Sequence, residues 1–256
     1  MQILGYNVYY TGSIYTGSHD VAGSHASLVA SALKAIYTWP VSLASGKVTL
    51  SSEAVLGVGH LNVTAPTPQG QVSSHSTSFL DPAIFPIEFT WHAANLTSST
   101  GVAVWLPLGS YDQSARIVHG LGQNHYAIAP FEFITYDMQN AILDLAIVGE
   151  TNTTNSYTKY RSGNDITTTL ALSYKVTTHL MLGPTAYYYK QISDDKQDGV
   201  NVPGGNRGQA LGLGAQIVYG FGPGLGVLLK FFHETLVRNR VGGNALWFEF
   251  SVPLRL

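Results

Sequence analysis

The sequence contains no cysteine and few charged residues. The absence of cysteine excludes a disulfide scaffold, a thiolate metal site and a cysteine nucleophile. Charged residues make up 11% of the chain, whereas soluble domains carry about 25%. The net charge of −2 shows no basic excess, so we expect no nucleic-acid partner. A chain this poor in charge is badly suited to a surface that faces water.

Long apolar runs are also missing. Although 45% of the residues are hydrophobic, no stretch approaches the roughly 18 to 20 consecutive apolar residues of a membrane helix, because Ser, Thr, Asn, Gly or a charge interrupts every run. A closed β-barrel reconciles the two facts, since only alternate residues need be apolar and all backbone groups pair between strands. No signal peptide opens the chain, and we take it as the mature form of an exported protein.

Alternation of polar and apolar residues supports the barrel. In the segment Asp165–Lys175, one face is apolar except for one threonine, and the opposite face is polar and charged. The last segment repeats the pattern, since Phe248 and Phe250 alternate with Trp247 and Glu249. Such segments are half apolar, which is what a strand between lipid and a polar interior requires.

Counting these segments and the turn residues between them predicts about twelve strands. They lie near residues 3–14, 25–39, 47–63, 79–93, 99–110, 124–137, 140–151, 164–176, 179–193, 206–220, 224–238 and 243–255. Short connections alternate with long ones, such as 64–78, 111–123, 152–163 and 194–205. We therefore predict an all-β fold, a single transmembrane antiparallel β-barrel over residues 1–256, with short periplasmic turns and longer extracellular loops.

A soluble β-sandwich is the alternative fold. Many of the predicted strands run for about 12 to 15 residues, whereas strands of globular sheets usually have 5 or 6. Strands that cross a bilayer at a tilt need the greater length, so the pattern favours the membrane barrel.

Several short blocks resemble the outer-membrane channels linked to the meta-pathway of phenol degradation. They occur in family order over residues 80–250, and each is weak when taken alone. The blocks are Asp81-Pro82 followed by Trp91-His92, residues 106–112 (LPLGSYD), 160–165 (YRSGND), 187–191 (YYYKQ) with 194–196 (DDK), 205–208 (GNRG) and 243–247 (GNALW). The resemblance implies a twelve-stranded, monomeric barrel with a narrow lumen that passes small molecules.

Charged residues on the predicted strands are candidates for lining the lumen. If the apolar partners face lipid, the alternation predicts that the charges point inward, where they set ion preference or pair across the lumen and brace the barrel. The candidates are Glu53, Glu88, Glu132, Asp144, Asp165, Lys175, Lys230, Glu234, Glu249 and Arg255.

A second set of charges lies in the long loops. Under the family resemblance, Arg161 and Arg207 are expected to pair with Asp165, Asp194 or Asp195 and so fold the loops inward to constrict the mouth. Arginine suits this role because its planar guanidinium binds two acceptors at once. The other interpretation is that they are ordinary solvated loop charges.

Two other classes of function are open. A barrel hydrolase could use His25 and Ser27, which lie two apart and so on one strand face, but no third orienting residue can be assigned. A receptor or adhesion barrel would have a filled lumen and bind through its loops. The histidines show no metal-binding spacing and no nucleotide-binding glycine loop is present, so we expect no metal, no cofactor and no enzyme activity.

We therefore predict a bacterial outer-membrane channel for passive diffusion. Its expected solutes are small polar or anionic molecules, with substrates of aromatic degradation as candidates. Its other expected partner is the lipid of the outer membrane.

Overall fold

The computed structural model describes residues 1–112 and 120–254, and within them twelve antiparallel strands form a closed barrel. The strands are β1 Gln2–Thr16, β2 His25–Leu43, β3 Val48–Thr67, β4 in two segments Gly70–Phe79 and Ala83–His92, β5 Leu96–Trp105, β6 Ala127–Met138, β7 Ala141–Asn152, β8 Asp165–Lys175, β9 Leu180–Gln191, β10 Gln209–Gly222, β11 Leu225–Arg238 and β12 Val241–Pro253. Each strand pairs with the next, and β12 pairs with β1. The predicted fold class is confirmed.

Short elements complete the loops. Ala44–Gly46 forms a 3-10 turn between β2 and β3, and two-residue strands lie at His19–Asp20, Tyr160–Arg161, Lys196–Gln197 and Val200–Asn201. None of the described residues forms a helix long and apolar enough to cross a bilayer. The connections that follow β2, β4, β6, β8 and β10 are short and lie at one end, which is the periplasmic end in barrels of this type.

An apolar belt surrounds the outside of the barrel. Leu56 on β3 is 68% exposed, and Leu33, Leu170 and Phe231 on other strands are similarly accessible. Exposed apolar surface of this extent is unfavourable in water and favourable in lipid. The belt therefore marks the part of the barrel that spans the membrane.

The outer half of β4 is a difference from the sequence prediction. Residues 64–78 were expected to form a long loop, but Gly70–Phe79 pairs with β3 from Thr67↔Gly70 to Val58↔Phe79. The hairpin formed by this segment and the end of β3 shows no alternation of apolar and polar residues, because both of its faces are polar. On its outer face His60 Nδ1 lies 2.5 Å from Thr77 Oγ1. It therefore rises above the apolar belt into the extracellular medium.

A buried carboxylate fixes the chain where β4 is interrupted. Asp81 is 8% exposed and accepts hydrogen bonds from the backbone N–H groups of Gly109 at 2.8 Å and Gln123 at 2.6 Å. In addition, Ser110 N donates to Phe79 O at 3.1 Å. These bonds tie the connection between β5 and β6 to the barrel wall. One end of that connection, at Leu121, packs against the inner face at Gly59.

Two glycines of β10 provide a test of the strand packing. A Cβ at Gly214 would clash with the carbonyl oxygen of Phe231, whereas the nearest atom to a Cβ at Gly220 is 4.0 Å away. Gly214→Ala should lower the free energy of unfolding by about 1 to 3 kcal/mol because the strands must separate. Gly220→Ala, the matched control, should unfold like the wild type. The measurement is urea unfolding of the barrel in lipid vesicles, and equal stability of the two variants would contradict the packing described.

Candidate functional site

The strand register places most of the predicted lumen residues on the inner face. Their partners across the strands belong to the same face, opposite the exposed apolar belt. The residues are Glu53, Glu88, Asp144, Asp165, Lys175, Lys230, Glu234 and Glu249. Arg255 lies outside the described residues. Whether these charges set the ion preference stays a prediction.

Glu132 is a correction, because it lies on the outer face. Its register partner on β7 is Ile147, which is 40% exposed on the lipid side. The inward positions on either side of it belong to Phe131 and Phe133, which stack at 4.7 Å between ring centroids. The two aromatic rings therefore fix the phase of β6 and turn the carboxylate outward. There the Ser98 hydroxyl donates a hydrogen bond to it.

Basic residues on the inner face each contact an acid. Lys34 forms an ion pair with Glu53, whose side chain is 4% exposed. Lys230 Nζ lies 3.2 Å from Glu249 Oε1. Near the periplasmic end, Lys175 Nζ lies 2.5 Å from an oxygen of Asp137. The first two pairs join neighbouring strands, and the third reaches from β8 to β6 across β7.

Two other inward carboxylates, Glu88 and Asp144, accept hydrogen bonds from hydroxyl groups, and Glu88 also interacts with the carboxyl group of Glu53. Glu88 accepts a hydrogen bond from Thr90 Oγ1 at 3.2 Å, and Asp144 accepts one from Thr135 Oγ1 at 2.7 Å. A neutral hydroxyl satisfies one lone pair and leaves the negative charge uncompensated. The described lumen therefore carries more negative than positive charge.

Glu234 is the centre of a network near the extracellular end. Its side chain is fully buried, and it accepts hydrogen bonds from the hydroxyls of Tyr10 and Tyr187 and from Gly243 N at 2.8 Å. Arg240 Nη2 lies 3.6 Å from Glu234 Oε1. Groups from β1, β9 and β12 and from the β11–β12 turn thus meet at one carboxylate on β11.

Sequence reasoning named Glu234 but missed its partners. Tyr10 is 224 positions away along the chain, and Tyr187 is 47 positions away. Tyr187 lies in a run of three tyrosines, so alternation alone does not show which of them points inward. Arg240 sits in a turn, where strand parity gives no direction. Only the register of the closed barrel brings the four side chains together.

Asp195 joins the two large extracellular loops. It accepts hydrogen bonds from the Tyr160 hydroxyl, from Gly163 N at 2.7 Å, from Gln191 Nε2 at 2.6 Å and from Asn206 Nδ2 at 2.8 Å. Burial, together with the hydrogen bond to this carboxylate, raises the pKa of Tyr160 to about 12. The phenol therefore stays protonated and remains a donor at neutral pH.

The other predicted loop charges lie beside this centre. Arg207 Nε lies 2.6 Å from Asp194 Oδ1, one of the partners expected for it. Arg161 is the register partner of Lys196 and lines the same cavity as Arg207. The ion pair of Arg207 with Asp194 therefore joins two parts of the same loop, the one between β9 and β10. Constriction of the mouth by these residues stays a prediction.

A cavity of about 590 Å³ lies at the extracellular end of the lumen, and we call it the outer chamber. The residues of its wall come from β1, from β7, β8 and β9, from the β5–β6 connection, from the loops held by Asp195, and from the β11–β12 turn with the first residue of β12. The wall is formed by Tyr10, Gln123, Glu150, Asn152, Tyr160, Ser162, Asp165, Thr167, Tyr189, Gln191, Asp195, Asn206, Gly208, Asn239, Arg240 and Val241.

An aromatic cluster covers another part of the inner wall. Phe131 is 4% exposed, and its ring centroid lies 5.5 Å from that of Phe85. Lys34 Nζ lies 4.5 Å from the centre of the Phe85 ring, an arrangement that favours a cation over an aromatic face. The inner wall thus combines charged groups with aromatic surface.

The residues considered for hydrolysis do not form a triad. His25 and Ser27 share a face of β2, as predicted, but it is the outer face, which also carries the exposed Val29. His25 Nε2 lies 3.5 Å from the hydroxyl of Thr11, where a triad would place a carboxylate on the imidazole. In residues 1–112 and 120–254, no three histidine or carboxylate side chains come together as metal ligands do.

Solved structures of outer-membrane barrels share this architecture. The COG4313 outer-membrane channel from Pseudomonas putida F1 superposes with a TM-score of 0.82 at 14% identity, covering 98% of this chain and 93% of that one. The β domain of the Bordetella autotransporter BrkA gives 0.54 at 8% identity with 99% of each chain covered, and the KdgM porin gives 0.50 at 8% identity with 100% of each covered. At these identities the likeness shows the fold alone.

No curated protein matches the sequence. Residues 12–250 match the family described as "Putative MetA-pathway of phenol degradation". Since the match extends from the first strand to the last, the chain belongs to that family.

Proposed function

We propose that the protein is a passive diffusion channel of the bacterial outer membrane, without enzyme activity, which passes small polar solutes and favours cations over anions. The observation that carries the proposal is the surplus of carboxylates on the inner face. Each inward base described above has an acid partner, and the surplus acids are Glu88, Asp144, Glu150 and Asp165. Rings and clusters of acidic side chains favour cations in aqueous pores.

The polar inner face supports diffusion rather than active transport. A wetted path lets solutes move down their gradient without an energy source, and neither the sequence nor the described strands hold a nucleotide-binding loop. The likeness to solved channels supports the same function by analogy of fold. The twelve strands close on themselves within one chain, so a single copy forms a complete barrel, and we infer that the protein works as a monomer.

The solute class follows from charge and from the aromatic wall. The family description refers to phenol degradation, and the half-buried inner rings of Phe85 and Phe133 offer stacking surface for an aromatic solute. The surplus of carboxylates repels aromatic acids at neutral pH. Neutral phenols and other uncharged polar molecules therefore suit the lumen better than the anionic solutes that the sequence alone suggested.

Neutralising surplus acids tests the ion preference. In planar bilayers under a KCl gradient, the wild type should be permeable to K⁺ over Cl⁻. One unit charge 4 Å from a passing ion contributes about 1 kcal/mol in water, so Glu88→Gln and Asp144→Asn should each lower the permeability ratio by up to about fivefold, and the two together by up to about 30-fold. Glu132→Gln makes the same change on the outer face and should leave the ratio unaltered. If the folded protein shows no conductance, the channel proposal is wrong, and a receptor barrel with a filled lumen is favoured instead.

The pair of Lys230 and Glu249 gives a second test, with opposite signs. Lys230→Ala leaves Glu249 uncompensated and should raise the K⁺/Cl⁻ permeability ratio. Glu249→Ala leaves Lys230 uncompensated and should lower it. Both side chains are 24% exposed, so water enters and moderates the loss of stability. Shifts in the same direction, or none in either variant, would show that the pair does not face the conducting path.

A further inference from the structure

Two carboxylates oppose each other in the wall of the outer chamber. Glu150 on β7 and Asp165 on β8 are direct register partners, and both line this cavity. Like charges placed directly opposite each other destabilise a sheet. Among the described residues neither carboxylate belongs to an ion pair. The arrangement leaves acceptor oxygens facing the cavity.

The only base in the described chamber wall is already engaged. Arg240 pairs with Glu234 at 3.6 Å, and its guanidinium carbon lies 4.5 Å from the centre of the Tyr189 ring. A planar cation held in this way stacks on the aromatic face and keeps its charge near the carboxylate that it contacts. Arg240 therefore lowers the negative potential of the chamber without occupying Glu150 and Asp165.

Asn152 supplies an independent sign of an unfilled site. It is two residues beyond Glu150 on β7, so it shares the inner face, and it lines the same chamber. The residue is 4% exposed, yet its side-chain oxygen has no hydrogen-bond partner among the described residues. Buried polar atoms are nearly always hydrogen-bonded in folded proteins. An acceptor of this kind, next to two carboxylates, points to a missing donor.

A neighbouring cavity of about 160 Å³ shows the same feature. Glu150 also lines this cavity, together with His125, which is 8% exposed. The Nδ1 atom of His125 has no hydrogen-bond partner among the described residues. Unsatisfied polar groups thus concentrate around Glu150.

We infer that the outer chamber binds small organic cations that carry a primary ammonium group, with Glu150, Asp165 and Asn152 as acceptors. An ammonium group has three N–H donors and no acceptor, which complements three acceptor side chains. Anions are repelled by the carboxylates, and a neutral hydroxyl group cannot compensate their charge. A metal ion fits less well, because no cluster of metal-ligand type exists in the described residues.

The aromatic walls suit the carbon part of such a cation. Tyr10 and Tyr189 both line the chamber, and tyrosine rings attract cations and pack against methylene groups. Arg240 on Tyr189 shows that this wall already accepts one organic cation from the protein itself. The inference rests on the proposed channel, for which it names a solute class, since the chamber lies at the extracellular end of the lumen.

The experiment is isothermal titration calorimetry on the full chain folded in detergent micelles. The probes are butane-1,4-diamine, its neutral analogue butane-1,4-diol and its anionic analogue succinate. We expect saturable binding of the diamine alone. Glu150→Gln and Asp165→Asn should each weaken it by about tenfold, as expected for one lost charge-assisted hydrogen bond. Glu132→Gln removes a carboxylate from the outer face and should bind as the wild type does.

Three outcomes would overturn the inference. They are no binding of the diamine by folded wild type, equal binding of diol or succinate, and unchanged affinity in both chamber variants. The wild-type comparison of the three probes decides the matter even where a variant fails to fold. Calorimetry needs no ion flow. If the protein conducts ions but does not bind the diamine, this inference is wrong and the proposed channel stands. If the protein binds the diamine but does not conduct ions, the proposed channel is wrong and the binding site stands.

Discussion

The structure depends on the pairing of β12 with β1, which closes the sheet. Inside a bilayer no water is present to satisfy backbone N–H and C=O groups, so an open strand edge would cost several kcal/mol for each unpaired group. The register from Gln2↔Pro253 to Ile14↔Val241 removes that edge over the full height of the wall. It also fixes the phase of every other strand, because each register is set relative to its neighbour. Which side chains face lipid and which face the lumen follows from this closure.

Closure explains why the inner face carries most of the charge. A charged side chain at the bilayer midplane on the lipid side costs up to about 2 to 4 kcal/mol, and somewhat less for Asp and Glu, whereas an inward one meets water or another charge. Glu132 is tolerated outside because Ser98 donates a hydrogen bond to it and because the inward orientation of β6 buries Phe131 and partly buries Phe133. Because the residues on either side of it face inward, Glu132 must face outward.

Much of the barrel could be predicted from the sequence, because strand alternation and lipid-facing apolar surface are local properties. The prediction was wrong where the local signal was absent or ambiguous. Gly70–Phe79 has two polar faces and so gave no alternation, and β6 carries apolar residues on both faces around Glu132. The partners of Glu234 could not be predicted, because Arg240 sits in a turn and because Tyr10 and Tyr187 reach it only through the three-dimensional register. Long-range contacts of this kind require the closed barrel.

The same closure accounts for the chemistry of the extracellular end. Asp195 has four donors and is satisfied, so it holds the loops in place as a structural group. Glu150 and Asp165 have no such set of donors, and strand pairing holds them opposite each other in the wall. A wall that holds two acidic groups opposite each other keeps them in repulsion when both are ionised, and a proton or a bound cation relieves it. The carboxylates that stabilise the fold therefore differ from those available to a solute in how many hydrogen-bond donors the barrel gives them.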